Sequence, residues 1–393
     1  MKLTLPSLLV LAFFSSFALT TLAQSVPNHS YTVLVGTYTD KTDSKGMYAF
    51  DFDPATGKLT PRGLAAETPN PSWVAIHPNG KWAYAANESG KQSAVSAFSL
   101  NGATGVFGRQ KIELHDPAKL TLLNQLPAQG EDPCHLSFDK TGKYLFAANY
   151  TSGTVAVFPI LPDGKLGAPT SVVKDAGPLG PNKERQEGPH AHWVGVSVDN
   201  KFLYVSDLGL DRVLIYNFDA SKGTLTPGPA GIAPSPGTGP RHVAFFQNNK
   251  FAYVLGEMSS GVTVFAIDGG TSHLIQQVSA LPADYSGRKE AAEIAFHPSG
   301  KWLFVSNRGH DTIAVFSVNP ATGQLKPAGG YSTGGKEPRH FALDPSGQFL
   351  LAENQYSNNI VVFRINPTTG ALTLVSQTDN IPSPVCLMFL PLL

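Results

Sequence analysis

Three short motifs in this 393-residue chain set a proline beside imidazole or guanidinium groups: Pro189-His190-Ala191-His192, Pro240-Arg241-His242 and Pro338-Arg339-His340. A second set carries carboxylates, amides and another arginine: Asp207-Leu208-Gly209, Gly256-Glu257-Met258, Asn307-Arg308-Gly309-His310 and Glu353-Asn354-Gln355. Partly buried imidazoles and carboxylates exchange protons near neutrality, and arginine offers planar donors to a carboxylate, a phosphate or a developing oxyanion. The chemistry on offer is acid–base work on an anionic or carbonyl-bearing molecule. His190 and His192, two apart on a strand and so expected to point the same way, could also begin a metal site. A third ligand at a recognisable spacing is missing, and no metal is expected. A structural alternative is that Arg241 and Arg339 pair with Glu257 and Glu353 to tie neighbouring units together.

These motifs sit at fixed places in a repeat. Copies open at Ser72-Trp73-Val74, Cys134-His135-Leu136, His192-Trp193-Val194, Arg241-His242-Val243, Glu293-Ile294-Ala295, Arg339-His340-Phe341 and Val385-Cys386-Leu387. Each leads to a tight turn, an aromatic-rich strand such as Lys81-Trp82-Ala83-Tyr84, and a further strand such as Val155-Ala156-Val157-Phe158. The chain starts on a second strand, Tyr31-Thr32-Val33-Leu34-Val35, and ends on a first strand. This predicts an all-β, seven-bladed β-propeller with four antiparallel strands per blade, closed by pairing the C-terminal strand into the N-terminal blade. One face of such a ring would carry ordinary turns such as Asn79-Gly80-Lys81 and Asp139-Lys140-Thr141-Gly142. The other would gather the two chemical sets at one mouth of the central channel, where a ligand can meet converging polar groups. His77, His297 and His310 read as turn or surface residues.

Residues 1–23 read as a signal peptide: Lys2, an apolar stretch from Leu8 to Phe14, and Thr21-Leu22-Ala23 before a cleavage site near Ala23. The expected product is exported to periplasm or medium without membrane insertion, as a single propeller domain over 24–393 with about 53 residues per blade. Lys+Arg 29 against Asp+Glu 29 leaves no field to attract nucleic acid. Cys134 and Cys386 fall on inner strands with another blade between them, too far apart for a bridge. No cofactor fingerprint or repeated tryptophan docking motif is present, and no cofactor is expected. Two longer stretches, Lys111–Gln129 and Lys174–Glu187, are expected to enlarge loops on the functional face.

The combination of Pro189-His190-Ala191-His192, Ser206-Asp207-Leu208-Gly209, Gly239-Pro240-Arg241-His242, Glu293-Ile294-Ala295, Val305-Ser306-Asn307-Arg308-Gly309-His310-Asp311 and Pro338-Arg339-His340-Phe341 resembles the lactonase family of seven-bladed propellers. That family includes the propeller type of 6-phosphogluconolactonase and the fungal carboxymuconate lactonising enzymes. The resemblance covers essentially the whole mature chain and departs from the family in the export leader. It implies a metal-free site of His192, Arg241, Glu257 and Arg308 acting on a small-molecule, anionic lactone. Glu257 or His192 would take a proton from water, and the two arginines would hold the substrate and its oxyanion. His190, Asp207, His242, Glu293, Arg339 and Gln355 would line the substrate pocket. Three readings stay open at this stage: a lactone hydrolase, a non-catalytic binding propeller, and a cycloisomerase of the lactonising type. Nothing in the sequence speaks to oligomeric state.

Overall fold

The second strand of each repeat reads as an almost unbroken apolar run because both of its faces are covered. In the computed structural model, which describes residues 30–100, 119–246, 249–268 and 271–390, these runs belong to seven four-stranded antiparallel sheets. Val33 and Val35 pack toward one neighbouring sheet and Leu34 toward the other, all fully buried, as the twofold side-chain period of a strand dictates.

Blade 1 comprises Tyr31–Thr37, Gly46–Asp53 and Lys58–Glu67, with the C-terminal Pro384–Phe389 as its inner strand. Val35 lies opposite Leu387 and Val33 opposite Phe389, so the two ends of the chain close the ring as the repeat phase predicts. The inner strands of blades 2 to 7 are Pro71–Ile76, Pro133–Phe138, Ala191–Val196, Pro240–Phe246, Glu290–Phe296 and Pro338–Leu343. Their second strands are Trp82–Asn87, Tyr144–Asn149, Phe202–Asp207, Phe251–Gly256, Trp302–Arg308 and Phe349–Asn354. Apart from one 3-10 turn at Gly90–Gln92, no helix occurs among the described residues, and none is long and apolar enough to cross a membrane.

The core is distributed rather than central. Each apolar cluster among the described residues lies between two adjacent blades. Tyr253, Val305 and Phe316 join blades 5 and 6; Phe52 and Phe349 meet edge to face at 5.4 Å between blades 1 and 7. Each fully buried ring contributes on the order of 2 kcal/mol by leaving water, so every interface holds its neighbour in place.

Some sequence expectations need correcting. His77 and His297 open turns, as expected, through bonds from Gly80 N and Gly300 N, but they are buried rather than on the surface, and each bonds a carbonyl in the next blade's turn, Gly142 at 2.8 Å and Gly347 at 2.7 Å. The Lys111–Gln129 stretch is not simply a loop on the functional face: Leu120–Pro127 is the outer strand of blade 2, while residues 101–118, between that blade's third and fourth strands in chain order, lie outside the described residues. The 1–23 leader lies outside them too. Cys134 and Cys386 are free and buried on the inner strands of blades 3 and 1, with blade 2's between.

Candidate active site

Every inner strand carries an irregularity near its start. The pairing register between first and second strand shifts there in all seven blades. Such a bulge re-aims side chains away from the ladder. The equivalent bulged positions are Val385, Ser72, Cys134, His192, Arg241, Ala292 and Arg339. A second ring follows from the ends of the second strands: Tyr38, Glu88, Tyr150, Leu208, Glu257 and Gln355, each just past the ladder, and Arg308, the last paired residue of its strand, opposite Glu290. The bulge also breaks strand alternation, so His190 and His192 do not form the matched pair expected from their spacing. His190 precedes the strand and stacks on the Tyr150 ring at 4.6 Å, while His192 meets the same ring edge-on at 5.5 Å.

Glu257 is the hub. Its Oε2 accepts from Arg241 Nε at 3.0 Å and faces Arg308 Nη2 at 3.1 Å, and its Oε1 accepts from Arg185 Nη2 at 2.5 Å. His192 Nε2 stands 4.0 Å from Oε2. The Glu257 side chain is only 5% exposed. Burial alone would raise its carboxyl, but Arg308, Arg241 and Arg185 outweigh burial and hold it at about 2. Arg241 is pulled down to about 10, by burial first and then by Arg308 and Arg339. Burial, with Arg241, His242 and Arg339 adding to it, puts His192 well below the ordinary histidine value. His192 is therefore a neutral imidazole, and its Nδ1 is buried without a partner. Arg241 also donates to the Ala292 carbonyl, and Arg308 Nε is unpartnered.

Beneath this layer the residues following the bulges form a packed tier. Trp73 contacts the His135, His242 and His340 rings at 4.3, 5.6 and 5.3 Å. His242 Nδ1 lies 3.2 Å from Glu293 Oε1, and its Nε2 lies 3.3 Å from Arg241 Nη1. His340 binds Glu353 at 2.7 Å. Glu353 therefore does not tie Arg339, whereas Arg241 does pair with Glu257. His242 and Glu293, expected to line the pocket, instead buttress Arg241 from below. Among the described residues no group of three or more His, Cys, Asp or Glu side chains could hold a metal ion.

The stretch after Lys174 brings in a group the motifs did not signal. Gln186, buried, donates to the Leu208 carbonyl at 2.9 Å and accepts from Asn182 N at 2.9 Å, which fixes the turn carrying Arg185. Gly180 N donates to Gly209 O at 2.8 Å, and a Cβ on Gly209 would overlap the Gly188 carbonyl. Arg185, 35% exposed, thus lies over Glu257 and also reaches Glu290 at 3.9 Å. Asp207 serves this loop. Asn87, Asn149, Asn307 and Asn354 hold its place in other blades, each bonding a carbonyl of the incoming connection. Asp207 accepts from His190 N at 2.9 Å and Leu210 N at 2.8 Å, and its charge acts on buried Asp175, whose carboxyl is raised by burial first and then by Asp207. Asp207 is a structural tie rather than a pocket residue. Gln355 lies at the rim, its N–H bonded to Glu337 O at 3.0 Å.

Across the mouth, Arg339 lies over the Tyr38 ring, 5.4 Å from its centre, and Tyr38 donates its hydroxyl to Glu88 at 2.8 Å. Tyr38, Glu88 and Tyr150 become visible in sequence once the repeats are aligned at their second-strand ends; Arg185 has no repeat position and no such signal.

Residues 32–389 match the family profile described as Lactonase, 7-bladed beta-propeller. The chain is 37% identical to the 6-phosphogluconolactonase of Bacillus subtilis, over 92% of this chain and 98% of that one. Among solved structures it is similar to a putative 6-phosphogluconolactonase from Bacteroides fragilis, with 36% identity, a TM-score of 0.83, and 93% and 99% of the two chains covered. It is also similar to a periplasmic gluconolactonase from Pseudomonas aeruginosa, with 31% identity, a TM-score of 0.84, and 92% and 99% covered.

Proposed function

This chain belongs to the lactonase family of seven-bladed β-propellers, and we propose that it hydrolyses an anionic, sugar-derived lactone at the Glu257 mouth without a metal ion. The observation that carries this reading is one buried carboxylate held by three arginines beside a neutral histidine with a free ring nitrogen. The leader composition and the likeness to a periplasmic gluconolactonase support an exported enzyme.

In this mechanism neutral His192 takes a proton from water as its oxygen adds to the ring carbonyl carbon. Arg241 and Arg308 stabilise the negative charge that forms on the carbonyl oxygen; a preorganised donor at such a position is worth about 10²–10³ in rate. The tetrahedral adduct collapses with cleavage of the ring carbon–oxygen bond, and the imidazolium returns its proton to the leaving ring oxygen. The product is the open hydroxy acid, whose carboxyl ionises to solvent. Of the two bases considered from sequence, the geometry favours His192: both Glu257 oxygens are engaged by Arg241, Arg308 and Arg185, whereas His192 Nδ1 has no partner. Glu257 serves to aim the arginines.

The test is hydrolysis of a panel of aldonolactones and their phosphate esters, with spontaneous opening subtracted. Turnover in the native protein and none in a folded Arg241→Met variant is the expected result. Full activity in that variant would remove Arg241 from the mechanism.

A further inference from the structure

Five arginines gather at the mouth, and four of them are engaged. Arg185, Arg241 and Arg308 hold Glu257, and Arg288 binds Glu290 at 2.8 Å and also Glu337. Arg339 differs: among the described residues it makes no hydrogen bond and no ion pair, and its only direct contact of note is the face of Tyr38. Yet it occupies the bulged position of blade 7, equivalent to His192 in blade 4 and Arg241 in blade 5. Its guanidinium nitrogens are not closed off from solvent, and the nearby Glu88 and Glu257 carboxylates favour its charge although neither pairs with it. The aromatic face fixes its plane while leaving the donors at its edge free. Two buried polar atoms at the same mouth lack a partner, Nδ1 of His192 and Nε of Arg308.

We propose that Arg339 is the receptor for an anionic substituent of the substrate, a phosphate or a carboxylate, held on the blade 7 side of the mouth while the reacting carbonyl faces blades 4 to 6. The fixed fork of arginine donors suits either group in bidentate fashion. Tyr38 and Glu88, from blades 1 and 2, hold that fork in place, the phenol bonded to the carboxylate and the ring beneath the guanidinium. The placement of the carbonyl rests on the lactonase reading; the anion site does not.

Titration calorimetry with sorbitol, sorbitol 6-phosphate and gluconate separates the two. Native protein should bind at least one of the anions roughly 10- to 100-fold more tightly than sorbitol, the effect of a charge-assisted contact. Which anion wins identifies phosphate or carboxylate as the group recognised. Arg339→Met, shown to be folded by circular dichroism, should lose that preference, and Arg339→Lys should restore part of it. Equal affinity for the neutral and charged polyols in the native protein overturns the proposal, as does a preference that survives Arg339→Met. Anion selectivity that depends on Arg339 in a protein that opens no lactone would keep the anion site and remove the reaction.

Discussion

Replacing Glu257 by glutamine removes one negative charge and almost no volume from a site on which three guanidiniums converge. The carboxyl sits at about 2 against an ordinary 4.5, and each unit is about 1.4 kcal/mol. The folded protein therefore favours the charged form by about 3 kcal/mol, with the opposing cost of burial already inside that net figure. Glutamine stands in for the protonated acid, so the variant should lose about 3 kcal/mol of stability at neutral pH, whereas an exposed ion pair is worth under about 1 kcal/mol. The pH dependence follows from the sign of the shift. A depressed acid contributes stability that is complete above its unfolded value of 4.5 and is lost as pH falls toward about 2. The gap between native protein and variant should thus be full at neutral pH and visibly smaller near about pH 3.5. Urea unfolding followed by tryptophan fluorescence measures both points. A variant within about 1 kcal/mol of the native protein at neutral pH, or a gap that does not shrink in acid, would show that the three arginines do not converge on Glu257 as described.

Other perturbations have equally definite outcomes. His192→Asn should cost about 10²–10⁴ in kcat while sparing the fold, read by lactone hydrolysis and a thermal melt. Gly209→Ala should push the Gly188 carbonyl and the Arg185 turn aside at a cost of about 1–3 kcal/mol, detected as proteolytic cleavage within 177–190 and lowered kcat/KM. Asp207→Asn restores the amide found at this position in four other blades and relieves the buried Asp175–Asp207 acid pair; it should raise the urea midpoint with activity retained. His135, His192 and His242 are all depressed, by burial first, with His242 at about 4. Below the ordinary 6.5 these three imidazoles bind fewer protons in the folded state than in the unfolded chain and so lower stability as pH drops, against the opposite contribution of His340 and Asp175, whose values are raised. Removing one of them isolates its share: a His242→Gln variant whose melting temperature falls between about pH 7 and 5 as much as the native protein's would contradict that burial.

The fold was legible because a propeller writes the same physical requirement seven times. Residues such as Trp82, Phe202 and Trp302 recur at one phase because each second strand is covered on both faces, and the offset of Tyr31–Val35 against Val385–Phe389 announced the closure. The arginines and Glu257 were legible for the same reason, as departures from a repeated background at positions facing one mouth. What escaped lay where the repeat gives no reference. Arg185 enters from a segment with no counterpart in other blades, and its role depends on a docking contact at Gly209 that only the fold creates. Asp207 looked chemically costly in isolation; beside Asn87, Asn149, Asn307 and Asn354 it is a variant of a structural tie. The alternation rule failed for His190 and His192 because His190 precedes the strand and the bulge falls at His192 itself, and the burial of His77 and His297 at their turns escaped notice because their partners belong to the next blade's turn.

The seven bulges have a consequence for how such a protein can change over time. At each bulge the backbone has already left the ladder, so the side chain there is exchangeable without rewriting any strand pairing, and the neighbouring second-strand end offers a matched socket. The scaffold behaves as a ring of interchangeable sockets, and Val385, Ser72 and Ala292 are sockets fitted with small, chemically quiet residues. New specificities can arise by refitting those three while the blade interfaces go on selecting for the same fold. Retooling by single substitutions, in the laboratory or in lineages, should therefore cluster at these positions rather than spread over the blades.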